Sequence, residues 1–152
     1  ALTFLRPELT LARLMPHDQL DAVFQAAASL GTSRFVVTAD AHLVEKLKHR
    51  LERALPDEAQ TQRLKLLARA YCDVQHPGDV RAYMDAAELT SNRAGALLAG
   101  DLDVVRKMVV AEKAAVSKLR EETRLRDLVV FCTSEAYGDL RRDLGLSVIV
   151  PP

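Results

Sequence analysis

The sequence predicts an all-α domain, an irregular or orthogonal helical bundle with room for one or two short strands. Three observations lead there. Apolar residues recur at helical spacing in successive segments. Brief breaks at Pro and Gly divide those segments, with no alternating strand–helix rhythm. The core on offer is Leu, Val and Ala: hydrophobic residues make up 49% of the chain, aromatics only 5%, and Trp is absent.

Ala1 to Met15 opens the chain, and Pro7 fits the first turn of a new helix, where a missing N–H costs nothing. Pro16 ends that piece. Leu20, Val23, Phe24 and Ala27 then recur at helical spacing, and Gly31 is placed to stop the helix. Arg34 to Val37 is either a short strand or an extended connector, because its β-branched pair suits both. Asp40 is expected to N-cap an amphipathic stripe of Leu43, Val44, Leu47, Leu51, Ala54 and Leu55, which Pro56 terminates. Asp57 and Gln60 have capping-box spacing, and the next stripe is Leu64, Leu67, Ala68, Tyr71 and Cys72. His76-Pro77-Gly78 is a break.

Asp79 to Ala99 is helical in period and rich in small residues: Ala82, Ala86, Ala87, Ser91, Ala94, Gly95, Ala96 and Ala99. Small side chains let backbones approach closely, so a central helix packed on several sides is expected. Gly100 ends it. Asp101 can cap a following helix with Val105, Val109, Val116 and Leu119 on one face. Another helix is expected from near Thr123, with Leu125, Leu128, Val129 and Cys132 inward. Thr133-Ser134-Glu135 can restart a piece that runs through Leu140 and Leu144 to a stop at Gly145. Ser147 to Val150 is a candidate terminal strand.

A chain of 152 residues is long enough for one domain with a real core, and 1–152 reads as a single helical domain. It begins at Ala1 in what already reads as a helix or its end, so a piece of a longer protein is expected. The 21 basic residues balance the 21 acidic ones, leaving no overall electrostatic footprint for nucleic acid or an anionic membrane. Arg124/Arg126 and Arg141-Arg142 are too few, and too balanced by acids, to mark a nucleic-acid site. No apolar run approaches the roughly 20 residues of a membrane span, and no signal peptide is visible. The two cysteines, Cys72 and Cys132, sit on apolar helical stretches and are expected to be buried free thiols. Together these features favour a cytoplasmic protein.

The segment Glu88-Leu89-Thr90-Ser91-Asn92-Arg93-Ala94-Gly95-Ala96-Leu97-Leu98, followed by Asp101, carries the one mechanistic motif. It resembles the second motif of HExxH zinc metallopeptidases of the CAAX-prenyl-protease type. The resemblance implies that Glu88 stands at the third zinc-ligand position and that Arg93-Ala94-Gly95 continues the pattern. Asn92 stands where the family has a supporting aspartate. An i, i+4 spacing puts Glu88 and Asn92 on one helix face, but an amide cannot supply the aspartate's charge. A catalytic zinc needs three protein ligands and an open position, with outer carboxylates orienting the ligands.

The chain has no HExxH, which would supply two ligands and the general base. His17 and His76 read as surface turns. His42, Glu45 and His49 share a face, but the two histidines stand roughly 10 Å apart along a helix axis, too far to grip one ion comfortably. They are expected to be exposed, opposite the Leu43/Leu47/Leu51 stripe. No phosphate loop and no G-x-S-x-G elbow is present, and an apolar setting should blunt Cys72 as a nucleophile beside His76. Glu121-Glu122 and Asp101/Asp103 read as helix-start charges favoured by the macrodipole.

A wider resemblance joins Thr3 to Glu8, Glu88 to Asp101, and Asp127 to Leu144. These look like the C-terminal domain of large tetratricopeptide-repeat proteins from myxobacteria and related bacteria, a metallopeptidase-like domain without its HExxH helix. The resemblance implies a non-enzymatic interaction or scaffold module that binds another protein, with Glu88, Asn92 and Arg93 as a vestigial site, no bound metal or cofactor, and no membrane insertion. Two other readings stay open. One is a zinc-dependent hydrolase whose HExxH lies outside this chain. The other is a purely structural bundle in which Asp85, Glu88 and Asn92 form a solvated stripe, or one ion-paired with Arg81 or Arg93.

Overall fold

A computed structural model describes residues 6–33, 35–55, 57–73, 79–112 and 117–146. Among them the regular structure is all α, as the composition and periodicity predict. The helices are α1 (Pro7–Leu14), α2 (His17–Gly31), α3 (Ala41–Ala54), α4 (Glu58–Asp73), α5 (Val80–Ala99), α6 (Leu102–Ala111), α7 (Glu121–Cys132) and α8 (Glu135–Asp143). Phe35 to Val37 form a connector rather than a strand. The strand expected at Ser147 to Val150, the break at His76-Pro77-Gly78, the stop at Pro56, and Val116 lie outside the described residues. No described helix is long and apolar enough to cross a membrane.

The chain divides into two units, residues 11–83 and residues 1–10 with 84–152, and the boundary falls within α5. In the first unit, α2 packs on both α3 and α4. Ala22, Ala26 and Val44 are buried together, flanked by Val37, Ala39, Leu43, Leu47 and Leu51. Complete burial of Leu20 contributes roughly 2 kcal/mol. Asp40 caps α3 by accepting from the His42 and Leu43 amides at 2.9 and 3.2 Å, as its type and position predict. Asp57 accepts from the Gln60 amide at 2.7 Å.

Gly31 ends α2, though not by a left-handed turn: the described glycines with positive φ are Gly100 and Gly145. Its role is close approach. A Cβ there would lie 2.6 Å from the Ala68 Cβ and 2.6 Å from the Arg69 nitrogen. Arg69 Nε also donates to the Gly31 carbonyl at 2.9 Å, satisfying a helix-end acceptor. Leu67, expected inward, is exposed; the turn of α4 facing α2 is the one that carries Ala68.

The connector between α2 and α3 is held by a buried amide. Gln25 Oε1 accepts from the Thr38 and Ala39 amides at 2.8 and 3.0 Å, and its Nε2 donates to Asp21 and Thr38 Oγ1, each at 2.9 Å. One polar side chain thus satisfies backbone that would otherwise be orphaned.

In the second unit, Ala96, Val105, Val109 and Leu128 form the buried core, with Leu125 and Cys132 against it. Gly100 stops α5 at φ +65°, and Asp101 caps α6 from the Asp103 and Val104 amides at 2.8 and 3.1 Å. Ser134 caps α8, and Gly145 follows it at φ +66°. Arg141 reaches back from α8 to the Leu97 carbonyl at 2.9 Å and also binds the Leu146 carbonyl.

Three expectations are corrected here. The helix after Gly100 ends at Ala111, so Leu119 lies outside it. Val129 is exposed, and the inward position taken for it belongs to Arg124, one turn before Leu128. The small residues of α5 do not pack on several sides: Ala87 and Ala96 are buried, but Ala82, Ala86, Gly95 and Ala99 are exposed.

Candidate functional site

Glu88 is buried on α5, its side chain 0% exposed. The solvated reading of this acid is therefore overturned, and an ionic one replaces it. Arg124, on α7, is 4% exposed and places Nη2 3.0 Å from Glu88 Oε1. The same nitrogen donates to Glu112 Oε2 at 2.5 Å. The Ser117 amide donates to Glu88 Oε2 at 3.2 Å, and Ser117 Oγ in turn accepts from the Leu119 amide at 3.3 Å.

Burying an ion pair is tolerable only when hydrogen bonds share the desolvation cost. Here the guanidinium meets two carboxylates, and one of those carboxylates also meets a backbone donor. The cluster ties together α5, the end of α6, the 117–120 segment and α7. Glu112 turns into it because α6 stops at Ala111 and Glu112 itself is extended, at φ −73° and ψ 104°.

The other two candidates separate from Glu88. Arg93 does not pair with it; the guanidinium binds Asp127 through Nε at 2.9 Å and also through Nη2. That hydrogen bond is the main reason the Arg93 pKa is raised. Arg93 also lies over the Phe131 ring, 5.6 Å from its centroid. Asn92 is half-buried, and its Nδ2 finds no acceptor among the described residues; the same is true of Arg124 Nε. Asp85 is half-buried.

The described histidines go elsewhere. His49 is exposed on α3, with Nε2 3.4 Å from Glu45 and Nδ1 3.3 Å from Glu52. His42 is exposed on the same helix, and His17 opens α2 beside Asp18 at 3.2 Å. His76 lies outside the described residues. Among the described residues, no group of three or more His, Cys, Asp and Glu side chains is placed to hold a metal ion. A polar hollow of about 350 Å³ in the first unit is lined by Gly31, Thr32, Ser33, Arg69 and Asp73, none of them a candidate residue.

Both thiols are free and half-buried. Burial pushes the Cys72 and Cys132 pKa values up, and Asp73 adds to the effect at Cys72. A raised pKa lowers the thiolate fraction, which disfavours either as a nucleophile.

Arg124, Glu112 and Ser117 are the members of the cluster that sequence reasoning missed. The signal for Arg124 was present: it stands four residues before Leu128 and eight before Cys132, so all three share a face. No comparable signal marks Glu112, whose placement depends on where α6 ends.

Comparison with protein-family models, with curated proteins and with solved structures gave no match to this chain.

Proposed function

We propose that this chain is a non-catalytic helical interaction module, a degenerate relative of zinc peptidases that binds another protein within a tetratricopeptide-repeat scaffold. One observation carries the reading. The acid at the zinc-ligand position of the motif, Glu88, is committed to Arg124 and the Ser117 amide in a buried cluster. A divalent ion on that carboxylate would meet the guanidinium charge. Like unit charges about 4 Å apart repel by roughly 4 kcal/mol at an effective dielectric of 20, and a divalent ion doubles that. Glu88 then serves the fold by neutralising Arg124, and Arg93 does the same work with Asp127. The free thiols of Cys72 and Cys132 suit a reducing compartment such as the cytoplasm.

The test is metal analysis combined with a hydrolysis assay. Protein equilibrated with zinc and then dialysed should retain no stoichiometric metal. Glu88→Ala should lower the denaturation midpoint and weaken capture of the protein partner. A hydrolytic rate that Glu88→Ala abolishes while the fold persists would overturn the proposal in favour of a zinc hydrolase completed by residues outside this chain.

A further inference from the structure

We propose that α6 pairs antiparallel with α6 of a second copy of the chain. The proposal rests on the interaction-module reading and gives that module one partner of defined chemistry. It starts from an apolar excess. A surface helix needs one apolar face, and α6 already buries one: Val105 and Val109 are each 5% exposed. At 100° per residue, Val104, Met108 and Ala111 fall on a neighbouring line, and all three are exposed, Met108 at 66%. Val110 is exposed as well. The polar residues of this ten-residue helix are Asp103, Arg106 and Lys107.

The charges along the edge of the stripe select the occupant. Asp103 and Lys107 stand one turn apart on the same flank. Two copies laid antiparallel, with the two-fold axis near residues 105 and 106, set Lys107 of each opposite the partner's Asp103. The same operation sets Val104 opposite the partner's Met108. A parallel pair would turn the flank of Asp103 and Lys107 towards the opposite flank of the partner, where neither residue meets its counterpart. The pattern is thus self-complementary in one orientation only, as a two-fold interface requires. Asp103 contacts Arg106 within its own helix at 3.4 Å, but both side chains are exposed, so that contact is weak and easily exchanged. The stripe from Val104 to Ala111 runs about 10 Å along the helix axis, too short to bury the roughly 800 Å² per partner of a stable complex. A weak dimer, with Kd in the range of tens to hundreds of micromolar, is the expectation.

Sedimentation of the whole chain from roughly 10 µM to 1 mM should show a monomer–dimer equilibrium, and Met108→Asp should raise Kd by about tenfold or more. Asp103→Lys and Lys107→Asp should each remain monomeric alone, because each sets like charges face to face. Mixed together, the two variants should dimerise, because each then supplies the other's opposite charges. Far-UV circular dichroism checks that every variant stays folded. A chain that is monomeric throughout overturns the pairing, and so does association that ignores Met108→Asp or a mixture that fails to associate. None of those results touches the metal and hydrolysis assays on which the interaction-module reading depends.

Discussion

Arg124 Nη2 serves two acids that arrive from different elements, Glu88 from α5 and Glu112 from just beyond α6. The dependence is unequal. Removing the guanidinium takes its positive partner from a fully buried carboxylate, so Arg124→Met should cost about 3–5 kcal/mol. Glu112 is 26% exposed, so Glu112→Gln should cost only about 1 kcal/mol. Urea unfolding of the two variants checks the order, and equal losses would contradict it. The thiols give a second expectation at this scale. With both pKa values raised by burial, the thiolate appears only at higher pH, so the pH midpoint for iodoacetamide alkylation should lie above that of an unfolded-chain cysteine. Glu88 stood out in the sequence as an acid on an apolar helix. Arg124 did not, because Glu121, Glu122, Arg126 and Asp127 make its neighbourhood look like an ordinary solvated helix start. Sequence shows that a charge is present, but its counter-ion 36 positions away depends on the tertiary fold.

Helix boundaries with a local chemical cause were legible. Asp40, Asp57, Asp101 and Ser134 all cap where their type and spacing predict. Boundaries set from a distance were not: the apolar period carries past Ala111 towards Leu119, yet the chain leaves the helix there and Glu112 meets Arg124. The helical glycines divide in the same way. At Gly31 a new Cβ would collide with Ala68 and with α4 backbone, so Gly31→Ala should destabilise by about 1–3 kcal/mol. At Gly95 a Cβ meets nothing within 4 Å, so Gly95→Ala should stabilise by about 0.5–1 kcal/mol through helix propensity. Thermal melts of the two variants should shift in opposite directions.

Fold class was the most legible property of the molecule, because a core of Leu, Val and Ala with helical periodicity has few other solutions. Which helix meets which was not legible. Periodicity names an inward face, but the partner of that face depends on shape, as at Gly31 and Ala68, or on a polar bond such as that from Gln25 to the Thr38 and Ala39 amides. Charge balance sets a bulk property directly. With 21 basic and 21 acidic residues and a sequence pI near 7.1, self-repulsion is weakest near neutrality. Solubility should pass through its minimum close to pH 7 and rise on either side, which a precipitation series from pH 5 to 9 would show (roughly two units each way from the pI).

Arg141 closes the end of α5 from 44 positions further along the chain, and this bears on the order of assembly. Until α8 has formed and docked, the Leu97 carbonyl has no guanidinium and the last turn of α5 is free to fray. A contact of such long range forms late when loop closure is costly. Arg141→Ala should therefore leave the refolding rate nearly unchanged and speed unfolding. In a nascent chain, the stop at Gly100 would become secure only after α8 had been made.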